Sequence, residues 1–508
     1  MKTFIKIALI ALLWVTIINR GELGSWDTSA RLDMAHAWWT GTEEVDPTFH
    51  PKNRLDGSDI VVGVGGKRYV AYEVGQSFLM LPGDWLGTQL HQFFPTVSPT
   101  KLRSTVVSYL IFIPLNVAAV VSCFWLLRLL GFGEGISGLT TIAWLLCTTV
   151  FLYAQEHQQN NQVLLFVIIG YASVLAYINR GKPYFAVCSG LAISAALLMR
   201  STSIIHVLTV ILFLIGCVAY QSRNQLTVLS AVGLWIVGFL PLGLLGRVFD
   251  YIRYGSFWTI GQSFAIKQIT TDPMYSGFPE LPANYPFLNP PYVGILGVLI
   301  SPAKSIFLYD PLLLPCLVVG IVYWKKFSPY IQWYLVTGLL NLALFIILTS
   351  RLVMWGGDWA WGARYHVTSV HLLLIPLIAT FIQRMISGKG FIVWIMRGIL
   401  ATALTVQIAS VTMYYGTEIS QVKFLPQDLA ADVHSDQFRL GQRFINIMCH
   451  FNRSFSKQCT EDVPILPFRN SKIFLFVWRV LLAFAIGTTA RFVYTTWPKA
   501  RKTWISHV

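Results

Sequence analysis

About twelve stretches of this 508-residue chain are long and apolar enough to cross a lipid bilayer, and that alone removes most folds open to it. They fall near residues 4–20, 104–130, 135–153, 162–179, 184–199, 203–221, 226–249, 307–324, 330–350, 366–383, 391–414 and 473–493. A membrane helix needs ~20 mostly apolar residues, and backbone immersed in lipid must satisfy its own hydrogen bonds. The predicted fold class is therefore an all-α polytopic membrane protein with about twelve transmembrane helices. Composition agrees, since 55% of residues are apolar and only 12% are charged, against about a quarter in a soluble domain. The first stretch follows Lys2 and Lys6 and has no small-residue cleavage site, so it reads as a retained anchor.

Charge gives the orientation. With the N-terminus inside, the inner segments collect Lys2, Lys6, Arg128, Arg180, Lys182, Arg223, Lys325, Lys326, Arg384, Lys389, Arg397, Arg491, Lys499, Arg501 and Lys502, with Glu134 as the one acid among them. That asymmetry predicts cytoplasmic termini and an even helix count. The net charge of +15 then reads as anchoring against an anionic inner leaflet, and nucleic acid is not an expected partner. Ten acidic residues fall between Gly21 and Arg103 on the other side, most of them read as loop solvation.

No repeat and no low-complexity linker divides the chain, so a single membrane domain spanning 1–508 is expected, elaborated by long external loops at 21–103, 251–306, 351–365 and 415–471. Within the first, Ala30 to Trp39 and Gln76 to Phe94 have helical apolar spacing and read as amphipathic helices on the outer membrane surface, with Trp26, Trp38, Trp39 and Trp85 suited to that interface. Cys449 and Cys459 share the last external loop, where an oxidising compartment would allow a disulfide.

The candidate chemistry lies on the external side. Asp27, just past the first apolar stretch, is placed where headgroup meets water, and a partly desolvated carboxylate there is a better base. The other reading of Asp27 is as the cap of the following helix. Asp33 faces either the same pocket or solvent. Gln155-Glu156-His157-Gln158-Gln159-Asn160-Asn161 joins two membrane helices, and such a polar run between apolar helices suggests a cavity for sugar hydroxyls, or else a solvated turn. Arg200, Arg253, Lys304, Arg351 and Arg364 are external cations; singly each reads as snorkelling, jointly as a site for a phosphorylated lipid. The segment from Trp355 to Tyr365, with Gly356, Gly357, Asp358, Trp361 and Arg364, combines glycines that admit close approach with flat aromatic faces. No Walker loop, His-Glu-x-x-His, Cys-x-x-Cys or nucleophile elbow occurs.

The order of these motifs resembles the polytopic GT-C glycosyltransferases, in the bacterial branch similar to protein O-mannosyltransferases and the lipid A aminoarabinose transferase. The stretches that carry the resemblance are Asp27 to Ala37, Gly75 to Pro82, Leu198-Met199-Arg200, Arg253 to Ser256, Ser301 to Tyr309 and Trp355 to Tyr365. It implies a GT-C-like fold and a hexosyl- or pentosyltransferase, inverting, that moves a sugar from a polyprenyl-phosphate donor to a glycan, lipid or protein acceptor outside a bacterial plasma membrane. It further implies Asp27 as general base, with Asp33 and Glu156 as the other candidate carboxylates, and Arg200, with Lys304, holding the donor phosphate. Arg31, Glu73, Gln76, His157, Gln158, Asn160, Asn161, Arg253, Tyr309, Trp355, Asp358, Trp361 and Arg364 complete the expected substrate-binding set. Tyr72-Glu73-Val74-Gly75 lacks the lysine that many relatives carry before the glycine, and Asn160 or Asn161 stands where relatives often carry an acid, which leaves use of a divalent metal open. Two rival classes are a lipid or polysaccharide flippase, usually built with inverted repeats and broken helices, and a non-catalytic binder of lipid-linked sugar.

Overall fold

The computed structural model describes residues 2–42, 45, 60–222, 224–271, 284–357, 360–413, 439–456, 459 and 471–505. Asp358 and most of the last external loop lie outside the described residues. In chain order the elements are α1 (Lys2–Ile18), α2 (Trp26–Thr40), β1 (Ile60–Val62), β2 (Arg68–Val70), α3 (Gly75–Leu90), α4 (Pro99–Leu129), α5 (Glu134–Leu146), α6 (Val150–Gln155), α7 (Asn160–Arg180), α8 (Pro183–Met199), α9 (Ser201–Ser222), α10 (Gln225–Tyr254) and α11 (Gly261–Thr271). They continue as α12 (Pro291–Ile300), α13 (Ile306–Tyr309), α14 (Leu313–Tyr323), α15 (Pro329–Thr349), α16 (Val367–Ser387), α17 (Phe391–Val411), α18 (Arg439–Phe451) and α19 (Lys472–Ile505).

Among the described residues the protein is all-α apart from one short antiparallel pair, β1 with β2, in which Val61 faces Tyr69. Among the described residues eight helices are long and apolar enough to cross a membrane: α4, α7, α9, α10, α15, α16, α17 and α19. Twelve continuous spans, the sequence expectation, are thus not all found. Two of the remaining four stretches form the 17-residue helices α1 and α8, about 25 Å long at 1.5 Å per residue and short of a ~30 Å hydrocarbon core. The other two are interrupted. The 135–153 stretch breaks between α5 and α6, where Cys147 leaves helical geometry with φ −113° and ψ 13°. The 307–324 stretch breaks between α13 and α14 at Asp310. The two breaks meet: the Asp310 carboxylate accepts from the Thr149 backbone N–H at 2.7 Å and from its hydroxyl at 2.8 Å. Amides freed by one interruption are therefore satisfied by the residue that causes the other.

The described chain forms two compact units that interleave along the sequence. One comprises 1–20, 116–155 and 289–508; the other comprises 21–115 and 156–288. In the first, α16 is almost wholly buried. Its His371 lies 3.1 Å from the Thr149 hydroxyl and 3.4 Å from Asp310. Trp14 of α1 donates to Thr489 of α19 at 2.9 Å, and Cys449 and Cys459, ten residues apart, are joined by a disulfide. In the second, α8 and α10 cross so closely that a Cβ on Gly190 would collide with the Trp235 carbonyl and one on Gly238 with the Val187 carbonyl. Trp38 of α2, Phe78 of α3 and Phe249 of α10 form an aromatic cluster with centroids 4.9–5.4 Å apart. Beneath it, Asp84 is fully buried and accepts from Trp39 at 2.7 Å, His36 at 2.9 Å and Arg103 at 3.1 Å, fastening α2, α3 and α4 together.

The cap of α2 is Ser25, not Asp27. Ser25 has extended geometry, φ −148° and ψ 154°, and its hydroxyl accepts from the Thr28 N–H at 3.2 Å. Losing that acceptor leaves an N–H of the first turn unmatched. Ser25→Ala is expected to lower stability by ~1 kcal/mol, read as a drop of about one degree in the melting temperature of detergent-solubilised protein; an unchanged melting temperature would mean the cap is idle.

Candidate functional site

With Ser25 supplying the cap, Asp27 is left in the first turn of α2, where the helix dipole favours a negative charge. Its half-buried carboxylate accepts from the Tyr72 hydroxyl at 3.1 Å. The Tyr72 ring lies 4.1 Å from the Arg31 guanidinium, which is 3% exposed. Asp27, Tyr72 and Arg31 thus form one connected group of carboxylate, phenol and cation. Tyr72 was not among the residues expected from sequence, although it stands in the quoted Tyr72-Glu73-Val74-Gly75 stretch.

The polar run that follows α6 lies beside this group. It is not a solvated turn: Glu156, His157, Gln158, Asn160 and Asn161 are all buried. The His157 carbonyl is clamped by the Thr28 hydroxyl of α2 at 3.1 Å and by the Gln76 amide of α3 at 2.8 Å. Gly24, with φ +80°, sits against the Glu156 backbone, where a side chain would crowd it. The His157 ring stacks on Phe112 at 4.6 Å, with Nε2 2.8 Å from the Ser108 hydroxyl. Burial pushes its imidazole down to about 3, so His157 works as a neutral hydrogen-bonding group.

Because an unfolded imidazole titrates near ~6.5, the folded protein binds this proton less well than the unfolded chain. The resulting stability is fully present above that pH and is lost as pH falls toward 3, by roughly 1.4 kcal/mol per pH unit. His157→Gln is expected to flatten that part of the acid slope, so the stability gap between wild type and variant narrows from pH 7 to pH 5. Parallel profiles in a thermal-unfolding series would contradict the assignment.

Arg200 ends α8 on the other flank of the run, with Nη1 3.4 Å from Asn160 Oδ1, and it is half-buried. Gln159 donates to the Met199 carbonyl at 2.5 Å, and Gly75 is pressed so tightly onto Leu198 that a Cβ there would overlap its carbonyl. Glu73 accepts from the Ser201 N–H at 2.8 Å and so terminates the turn that follows Arg200. Several buried polar atoms in this region have no hydrogen-bond partner among the described residues: Gln76 Oε1, His157 Nδ1, Gln158 Oε1, Asn160 Nδ2, Thr202 Oγ1 and Ser203 Oγ. Each such atom costs ≈ 1–3 kcal/mol when left unmatched, and together they make a mixed set of donors and acceptors that a polyhydroxyl ligand could fill.

Other expected residues have different surroundings. Asp33 lies toward Arg103, 3.4 Å away, on the face of α2 that carries the Asp84 cluster. Burial raises its carboxyl while Arg103 pulls the other way, and with 46% of its side chain in solvent the ion pair contributes little. Arg253 is buried: it pairs with Asp250 at 2.8 Å and donates to the carbonyls of Val70 at 2.9 Å and Tyr72 at 2.8 Å, while its Nε has no hydrogen-bond partner among the described residues. Its terminal guanidinium nitrogens thus hold the Tyr72 backbone, next to the side chain that reaches Asp27.

Lys304, Tyr309, Trp355, Trp361 and Arg364 belong to the other compact unit. Lys304 is 2% exposed and its ammonium donates to the Ala360 carbonyl at 2.6 Å. Tyr309 and Trp361 are edge-to-face at 5.1 Å within a buried core, with the Arg443 guanidinium 4.9 Å from the Trp361 ring. Gly357 and Gly362 take left-handed φ of +84° and +67° to pass Arg364 and Tyr309, which accounts for the glycines of that segment. Among the described residues no group of three His, Cys, Asp or Glu side chains converges to hold a metal ion.

No protein-family model matches the chain, and no curated protein sequence matches it. Several solved structures are similar over much of the chain. One is ArnT from Cupriavidus metallidurans bound to undecaprenyl phosphate, 11% identical over 87% of this chain and 74% of that one, with a TM-score of 0.47. Another is the archaeal oligosaccharyltransferase AglB from Archaeoglobus fulgidus in complex with an inhibitory peptide and a dolichol-phosphate, 11% identical, TM-score 0.43. A third is an Archaeoglobus fulgidus oligosaccharyltransferase with zinc and sulfate, 13% identical, TM-score 0.42. This chain spans 59% and 57% of the two oligosaccharyltransferase chains and is covered over 86% of its own length by each.

Proposed function

We propose that the protein is a membrane glycosyltransferase that moves a sugar from a polyprenyl-phosphate carrier to an acceptor on the non-cytoplasmic face. The observation that carries this reading is the Asp27 carboxylate, held by Tyr72 and relieved of the capping role by Ser25, beside a buried polar run with unmatched donors and acceptors. In the proposed step the acceptor hydroxyl attacks the anomeric carbon and gives its proton to Asp27. The bond from that carbon to the carrier phosphate breaks, the phosphate leaves with the electron pair, and Arg200 balances the charge it gains. Sugar hydroxyls would complete the hydrogen bonds of Gln76, Gln158 and Asn160. The positive-inside charge pattern supports an outward-facing site and cytoplasmic termini.

Arg200→Ala is expected to weaken binding of a polyprenyl phosphate by about tenfold or more as well as slowing transfer, because a charged phosphate loses its partner at a low-dielectric boundary. Fluorescence or microscale binding of the carrier to the purified variant checks this. Unchanged affinity would remove Arg200 from the phosphate site.

A second reading, a lipid-linked glycan transporter, is favoured by one observation: the broken pairs α5/α6 and α13/α14 meet at the buried residues Asp310, Thr149 and His371, and interrupted helices with inward ionisable side chains are common in transporters. It predicts movement of an intact lipid-linked sugar with no release of carrier phosphate.

A further inference from the structure

A cavity opens in the unit formed by 1–20, 116–155 and 289–508. Its volume is about 780 Å³. The elements that border it do so toward helix ends: the turn after α4, the first turns of α5 and α15, the end of α14 and the connection after it, the last turns of α16 and, through Ala500, the last turns of α19. It therefore lies at the level of a single leaflet, the one that the basic residues of the inner turns mark as cytoplasmic. Its lining includes the apolar Leu130, Ile136, Phe327 and Ile331, the cations Lys326 and Arg384, and Gln383.

The Lys326 ammonium sits 5.2 Å from the Tyr323 ring, and neither it nor the Arg384 guanidinium has a carboxylate partner among the described residues. No acidic side chain lines the cavity. A general bias of lysine and arginine toward the inner face accounts for the cations but not for a cavity with apolar walls beneath them. We propose that this cavity is a binding site for an anionic phospholipid of the facing leaflet, with Lys326 and Arg384 on the headgroup phosphate and an acyl chain along the Leu130, Ile136 and Ile331 wall. A zwitterionic lipid carries the same phosphate next to its own cation, so the two unpaired basic side chains select for net negative charge.

The test uses the full-length protein in detergent, exchanged into mixed micelles of phosphatidylglycerol and phosphatidylcholine, with retained lipid counted by native mass spectrometry. Wild type is expected to retain phosphatidylglycerol in preference. Lys326→Gln with Arg384→Gln is expected to weaken that retention by about 25-fold, about fivefold for each basic side chain. Lys326→Arg with Arg384→Lys should keep it. Ile331→Trp, which fills the apolar wall without touching charge, should also displace the lipid, and decides the matter if the double glutamine variant does not fold. Equal retention of the two lipids, retention unchanged in both the glutamine and Ile331→Trp variants, or displacement of the lipid by millimolar inorganic phosphate would overturn the proposal.

Discussion

Asp27→Asn is expected to lower sugar transfer at least a hundredfold while leaving binding of the lipid carrier within about twofold of wild type. The substitution keeps size and can still accept the Tyr72 hydroxyl hydrogen bond, so α2 and the polar run beside it should stay in place. What is lost is the ability to take a proton from the acceptor hydroxyl, a contribution typically worth ~10²–10⁴ in rate. The capping explanation makes the opposite forecast, a stability loss of ~1 kcal/mol with transfer nearly intact, and Ser25 already fills that role. Tyr72→Phe separates positioning from chemistry: the carboxylate remains, so transfer should fall less than in Asp27→Asn, and its acid limb should shift because a hydrogen bond to the charged form is gone. Near-normal transfer by Asp27→Asn would move the base elsewhere, with Glu156 the next buried carboxylate beside the group.

The second large effect concerns folding. Arg253→Met should destabilise the protein by about 3–5 kcal/mol, the usual cost of breaking a buried ion pair from one side. It would leave Asp250 with Arg247 alone, 2.6 Å away, and the Tyr72 carbonyl without its donor, whereas the Val70 carbonyl keeps the Tyr254 hydroxyl at 3.0 Å. Adding Asp250→Leu should recover part of the loss, since an apolar pair of similar volume often replaces a buried salt bridge at little cost. A double-mutant cycle on the denaturation midpoint measures this. If Arg253 bound a phosphate instead, the single variant would fold normally and lose only carrier affinity.

Much of the architecture was legible in hydropathy. The eight continuous spans, and the helices at 26–40 and 75–90, follow from apolar spacing that has one physical solution in lipid. The two interruptions were not, because a hydropathy window averages over Thr148, Thr149 and Asp310, and the contact that joins the two breaks, between Thr149 and Asp310, is tertiary. The same limit applied at the site. Asp27 and the 155–161 run stood out as polar residues in expensive places, and both are partly or wholly buried. Arg253 and Lys304 stood out for the same reason, and in the structure they donate to backbone carbonyls, with Arg253 also paired to Asp250. Sequence marks a charge near the membrane boundary but does not show which backbone it holds, because the carbonyls of Val70, Tyr72 and Ala360 come from segments far away in the chain. Tyr72 was missed for the converse reason: a tyrosine at an interface is ordinary until its hydroxyl is seen to reach a carboxylate.

The central claim is that a lipid-linked sugar is cleaved at its phosphate by this protein. The direct measurement is a proteoliposome assay with purified wild-type protein and a pool of polyprenyl-phosphate sugars extracted from membranes, following free polyprenyl phosphate and labelled sugar by mass spectrometry in the presence of a membrane acceptor fraction. The account predicts that polyprenyl phosphate appears as sugar moves onto the acceptor, that Asp27→Asn abolishes both signals together, and that Arg200→Ala reduces them along with carrier binding. Intact lipid-linked sugar crossing the bilayer with no polyprenyl phosphate released would contradict it and favour transport instead.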